Sequence, residues 1–474
     1  MALLSLALLG LVVSAASALV VAAADSSAQS KAQAHYLCDG SGDQVQIQQA
    51  LTAAGSGGVV TLTEGTFNLN GDLNVPSGVT LEGKGADATT LAWTSGMLRV
   101  SSRQNVVLRN FKTTGTGAIF LYNSNHIKVQ NVTATVDNSH NTEGAFQIWA
   151  SNAIVEDIEF NNCRAIDCGR HGFMNDGDGS PKLLRNIRYI DCQAINSGRY
   201  SRFSPYGQWT TGFDLAENTD IEDSQVIRCL AEGSFESGFH FEGRPKVTNV
   251  VFRDCVARNN GVKPDDYYNP DEATYGAHFG SGYLVHGSTQ LVNCTSEKNQ
   301  RAGYILGSGS RALNCTDSHS LIGFVLAHAD DVHLADCRSN AFGALGILCL
   351  DAANISMERY RGEGPVANES VCVRIGPTDG LFSAEDRPCE GLHAPRAIWI
   401  NTSRSVRIAG VVATDLQDPL LIENSSSIDT SLLQFQPLTE TPSLREKAII
   451  ENQWVTLADR LLDALGRILD GTAV

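Results

Sequence analysis

The sequence predicts an all-β solenoid, and three observations carry that expectation. A short phrase recurs seven times: Asn or Asp (once Arg) before Cys, a polar stretch, then Gly before a large apolar residue. It runs from Asn162-Cys163 with Gly172-Phe173 to Asp336-Cys337 with Gly346-Ile347, and its most regular cysteines, Cys294, Cys315 and Cys337, are 21 and 22 residues apart. Such a period marks stacked units, none of which can bury its apolar face alone. The composition agrees, because the 44 glycines, many Asn and abundant β-branched residues favour strands and turns over helices. Finally, Cys163, Cys192, Cys229, Cys255, Cys294, Cys315 and Cys337 share one register. This suits a ladder of small buried thiols better than a set of disulfides.

The N-terminal element is an apolar run from Leu3 to Ala24 that ends in small residues. Residues 1–24 are therefore expected to be a signal peptide or, if retained, a membrane anchor through residues 3–24, with 25–37 as a leader. Either way the protein is expected to be secreted or held at the cell surface. A net charge of −17 argues against nucleic acid as a partner. A Cys372–Cys389 bridge remains open, and no CxxC pair points to zinc or redox chemistry.

Next comes Ile47-Gln48-Gln49-Ala50-Leu51, then Gly57-Gly58-Val59-Val60, Gly65-Thr66-Phe67 and Pro76-Ser77-Gly78-Val79-Thr80-Leu81. Val45, Ile47, Ala50, Leu51 and Ala54 predict a short amphipathic helix that covers the first end of the solenoid. This order of segments resembles the entry to right-handed parallel β-helix proteins of the pectate lyase superfamily, and the Asn/Asp-Cys and Gly-aromatic units resemble that superfamily's coils. The resemblance implies a right-handed single-stranded parallel β-helix over 38–425 with an N-terminal capping helix. It does not fix an activity, since the superfamily holds lyases, hydrolases, epimerases and non-catalytic proteins. The paired Asp with Gly-His-Gly of polygalacturonases and the Asp-Pro-His of mannuronan epimerases are absent, so no site residue is carried over. In the tail, 426–474, Trp454, Leu457, Ala458, Leu461, Leu462, Leu465, Ile468 and Leu469 predict an amphipathic helix. It would pack on the solenoid, join copies into an oligomer, or touch a membrane surface.

Strand alternation then locates a candidate site. After each repeated Gly, the first and third residues are apolar and point inward, so the second and fourth point outward. The outward positions read Phe120/Tyr122, Gln147/Trp149, Met174/Asp176, Asp214/Ala216, His240/Glu242 and Leu284/His286. Asp176, Asp214, His240, Glu242 and His286 thus form a titratable ladder beside the aromatic residues Tyr122 and Trp149. Neighbouring coils about 4.8 Å apart bring carboxyl groups within reach of one glycosidic bond, and crowding raises the pKa of one of them.

Loop lengths point to the same place. Ordinary coils take 9 or 10 steps from Cys to the residue after Gly, whereas Cys192 to Phe213 takes 21 and Cys255 to Tyr283 takes 28. The two insertions carry Arg199, Arg202, Tyr206 and Trp209, and Tyr267 and Tyr268, residues suited to stacking on sugars or pairing a uronate. Asn175-Asp176-Gly177-Asp178-Gly179 resembles part of a calcium loop but lacks its remaining ligands, and a Gly-rich turn with solvated Asp accounts for it better. Asn131, Asn293, Asn314, Asn354, Asn368, Asn401 and Asn424 begin glycosylation sequons but also suit coil corners. The expected function is an exported polysaccharide-active enzyme of hydrolase type. A polysaccharide lyase or epimerase and a non-catalytic glycan-binding or cell-envelope protein are the alternatives.

Overall fold

The computed structural model describes residues 18–137, 144–198, 210–261, 280–364, 372–375, 382–385, 396–414, 416 and 419–435. Among them, 39 strands join in one sheet whose pairings are parallel, and Cys372–Ile375 pairs antiparallel with Phe382–Glu385 apart from it. The sheet winds as a right-handed parallel β-helix with three faces. One coil shows the pattern: Ala302–Leu306 on face A, Arg311–Leu313 on face B, Thr316–Ser318 on face C, then Ile322–Ala327 back on face A. Each strand pairs with its counterpart one coil on, as Tyr304 with Phe324, Ala312 with Leu334 and Asp317 with Ser339.

The repeated phrase has a local cause. The residue before each ladder cysteine, from Asn162 to Asp336, has φ between 50° and 56° and turns the chain from face B to face C. Asn and Asp enter this left-handed region more readily than other non-glycine residues. Arg228 is the exception, and its guanidinium grips Asp191 of the preceding coil at 2.7 and 2.8 Å. Elsewhere the corner side chains bond coil to coil, Asn162 to Asn131 at 2.9 Å and Asn314 to Asn293 at 2.9 Å. Among the described sequon asparagines, Asn131, Asn293, Asn314, Asn354 and Asn424 all hold this positive-φ conformation.

The seven ladder cysteines, with Cys38, Cys168 and Cys349, are free and buried. The ladder thiols donate to carbonyls of the coil before, Cys192 to Phe160 at 3.4 Å and Cys255 to Val226 at 3.2 Å. Inside face A, Phe146, Phe173, Phe213, Phe239, Tyr283, Tyr304 and Phe324 stack ring on ring at 4.6–5.0 Å. Aromatic pairs of this kind add about 0.5–1.5 kcal/mol each beyond the area they bury.

Structured elements lie on both sides of residues 38–425. Ala18–Ala22 is a strand, paired with Tyr36–Leu37 and Val59–Leu62, and Val21, Ala22 and Ala23 are fully buried. Cleavage after Ala24 would detach this strand from the first coil. The expected leader is structured too: Ser27 caps the helix Ala28–Ala32, and buried Ser26 bonds Thr63 and the Glu64 carbonyl. At the other end Ser426–Phe435 pairs with Arg404–Thr414, so the solenoid continues past 425. Residues 1–17, the sequon at Asn368, Cys389 and the stripe Trp454 to Leu469 lie outside the described residues. Among the described residues no helix is long and apolar enough to cross a membrane.

The predicted helix near the N-terminus is present as Gln44–Ala54. It buries Ile47, Ala50, Leu51 and Ala54 but leaves Val45 53% exposed, so Val45 is not part of its packed face. The Asp43 carboxylate ties its start to the solenoid by accepting from the Gly40 and Asn68 amides at 3.0 and 2.8 Å.

Candidate functional site

The outward rows of face A run in the register that alternation predicts. Phe120, Gln147, Met174, Asp214, His240 and Leu284 are successive partners across six coils. Tyr122, Trp149 and Asp176 follow one another in the next row. Both long insertions, and a third between Arg361–Glu363 and Arg396–Asn401, leave where face C passes to face A. Arg199, Arg202, Tyr206, Trp209, Tyr267 and Tyr268 fall within the first two and lie outside the described residues.

His240 is the centre of the cluster. Its Nδ1 is 3.6 Å from a Glu236 oxygen and its Nε2 3.3 Å from Glu242. Burial pulls its pKa down, but the two glutamates outweigh burial and bring it up to about 9. Glu242 responds in the opposite sense. Burial raises it, yet the bond and charge of His240 prevail, and its carboxyl stays below the usual range. His240 and Glu242 therefore form an ion pair at neutral pH.

The other carboxyl groups are driven upward. Burial, then Glu217, Glu242 and Glu236, raise Asp214 well above an ordinary Asp, and its side chain hydrogen-bonds Glu217. Glu217 reaches about 7, by burial and then the charge of Glu242. Glu236 reaches about 8, by burial, with His240 opposing. Asp214 Oδ1 and Glu236 Oε1 are buried without a hydrogen-bond partner among the described residues. Two carboxyls sharing a proton beside one held ionised is an arrangement that separates an acid from a base.

The neighbouring groups have different roles. His171 Nδ1 accepts from the Thr211 amide at 3.2 Å, so that nitrogen carries no proton. Burial, then the charges of Arg170 and His240, hold the His171 pKa well below the usual range, and its 3.8 Å approach to Asp214 is not an ion pair. His286 donates from Nε2 to the Glu242 carbonyl at 2.6 Å and positions that strand. Asp176 turns onto the Gly177 amide at 2.6 Å, while Trp149 Nε1 donates to Asp178 at 3.2 Å. The calcium loop does not form. Asn175 points inward, donating to the Leu215 carbonyl at 3.0 Å and accepting from the Tyr189 hydroxyl at 2.6 Å, so the Asn and Asp groups diverge. Among the described residues the one His/Cys/Asp/Glu group that converges as cation ligands is His126, Glu156 and Asp157, on face B.

The ladder is not an open row of titratable side chains: Asp176 is 4%, Asp214 2% and His240 1% exposed. Glu242, with 25% of its side chain exposed, and half-buried Glu217 are the accessible carboxyl groups of the cluster. Reading by alternation also missed Glu217, Glu236 and His171. His171 directly precedes the repeated Gly172, and Glu236 stands four residues before His240, but both lie outside the strand positions that alternation ranks.

Solved structures show the same architecture. A bacteriophage phi29 protein, pre-mature gene product 12, matches with a TM-score of 0.55 at 12% identity over 82% of this chain and 55% of its own. The parallel β-helix is the common fold. The A-module of a mannuronan C-5 epimerase from Azotobacter vinelandii matches with a TM-score of 0.40 at 15% identity, over 85% of this chain and 97% of its own. Pectate lyase Pel9A matches with a TM-score of 0.40 at 13% identity, over 67% and 76%. No protein-family model and no curated protein matches the chain. At these identities the likeness extends to the fold alone.

Proposed function

We propose that this is an exported β-helix protein that hydrolyses a polysaccharide at the Asp214–Glu217–Glu236–His240–Glu242 cluster. The observation that carries the reading is the divergence of these carboxyl groups. Glu242 is kept ionised by His240, while Asp214 and Glu236 are driven to hold protons at neutral pH and Glu217 shares the Asp214 proton. Glycoside hydrolysis needs one carboxyl group that donates a proton to the leaving oxygen and one carboxylate that attacks or activates water. In this reading the Asp214/Glu217 pair is the donor and Glu242 the base or nucleophile. His240 positions and ionises Glu242, and Tyr122 and Trp149 continue the row as a sugar platform. The crowd of carboxyl groups favours a neutral glycan, because a uronate would add like charge. The cations expected to pair a uronate, Arg199 and Arg202, lie outside the described residues.

The test is reducing-end release from a panel of neutral and acidic polysaccharides. Wild type is expected to turn over a neutral glycan, with Asp214→Asn and Glu242→Gln each slower by about 10²-fold or more. Unchanged turnover in both variants sinks the site. Release of unsaturated ends from a polyuronate would instead support a lyase.

The burial of Asp214 and His240 favours a second reading, in which the cluster is a closed structural network and the protein binds glycan or builds a surface layer without catalysis. It predicts glycan binding that survives both substitutions, with no product.

A further inference from the structure

Beyond His240 the outward row of face A changes character. Its next members are Leu284, Ile305, Val325, Leu348 and Trp399, partners in successive coils. None is more than 3% exposed, so this outward row is as buried as the core. These residues form a second apolar cluster, separate from the interior one, and its buried members come from face A and the corner leading into it. A sheet's outer face loses its water only beneath a second layer.

We infer that the layer is the C-terminal segment Trp454 to Leu469, laid as a helix along the solenoid axis across these five coils. Three observations select this occupant. The last described strand, Ser426–Phe435, ends on face C, where Phe435 pairs with Ala413. In every earlier coil the chain passes from that point to face A, so Phe435 ends the described chain on the face that precedes the apolar row. Leu421 pairs with Trp399 at the row's end. Lengths agree as well: five strands about 4.8 Å apart span roughly 19 Å, and a helix of 16 residues is about 24 Å long. The residues between Phe435 and Trp454 are ample to reach any part of the row. Finally, the segment carries one apolar stripe, Trp454 through Leu469, with Asp459, Arg460, Asp463 and Arg467 between, which matches one apolar face below and water above.

The experiment uses the full chain. A photo-crosslinking phenylalanine analogue is placed at Ile305 or Val325, the dilute protein is irradiated, and the cross-linked peptides are mapped by mass spectrometry. Intramolecular links to residues 454–469 are expected. Links to a second copy, or to the insertion between residues 364 and 396, overturn the assignment. A second measurement guards against a cross-linker that disturbs folding. Leu461→Asp/Leu465→Asp is expected to raise binding of a hydrophobic dye several-fold with the β-sheet circular dichroism unchanged, whereas Asp459→Ser/Asp463→Ser is not. No rise in the leucine variant also overturns it.

Discussion

Face A carries two rows of side chains on the same strands, and they follow opposite rules. The inward row is aromatic from Phe146 to Phe324, ring upon ring. The outward row reads Gln147, Met174, Asp214, His240, Leu284, Ile305 and Val325, changing from polar to titratable to apolar within seven coils. Stacking dictates the inward choice, because every coil must match its neighbours. The outward choice is free of that demand. The difference teaches where to look in a solenoid: uniform positions hold it together, and varying ones do its work.

Neighbouring residues can set the two rows against each other. Phe213→Ala removes a ring stacked at 4.6 and 4.8 Å on Phe173 and Phe239, and should cost about 3–5 kcal/mol in denaturant unfolding. Asp214→Asn, one residue on, should leave the unfolding midpoint unchanged or raise it above pH 7, because it removes a buried carboxyl crowded by like charge. A comparable loss in both would erase the distinction between the rows.

The inner side of face C holds one exception that sharpens it. Asp317 occupies a position that is Ala257 and Ser296 in the coils before and Ser339 in the next. Burial pushes its carboxyl from an ordinary 3.8 up to about 7, although Ser320 donates to it at 2.7 Å. The folded state therefore binds a proton that the unfolded chain has released between about pH 4 and 7. Stability from this group is full below that window and is lost as pH rises through 7. Asp317→Asn should reduce the fall in unfolding free energy by about 1.4 kcal/mol per pH unit within the window, measured by urea titration at several pH values. Glu217 and Glu236 act in the same direction up to about 7 and 8, so a slope should persist in the variant.

The smallest effect belongs to the corners. Asn314 has a φ of 51° and bonds Asn293. Asn314→Ala should cost about 1–2 kcal/mol, from the strained φ and the lost bond, and Asn314→Gly less. A cost shared equally by both would place the energy in the side-chain ladder instead of the turn.

Much of this was legible in the sequence. Asn/Asp-Cys and Gly-aromatic repeat because the corner and the stack repeat, and alternation then placed Asp214 beside His240 correctly. Glu217, Glu236 and His171 escaped because they sit where strands give way to corners, and period two says nothing there. The burial of the ladder was hidden too, since alternation gives direction and not what lies overhead. The N-terminal strand was hidden for another reason. A strand buried in the first coil and the apolar end of an export signal have the same hydropathy, so Leu3 to Ala24 read as one run although Ala18–Ala22 is a strand.

The ladder of thiols has a practical consequence. Each of the seven ladder cysteines, Cys163, Cys192, Cys229, Cys255, Cys294, Cys315 and Cys337, is buried in its own coil. A coil that opens therefore releases one ladder sulfhydryl at a known height along the axis. Pulsed alkylation followed by peptide mapping would turn the seven residues into a ruler, reporting from which end the protein frays and how many turns open together.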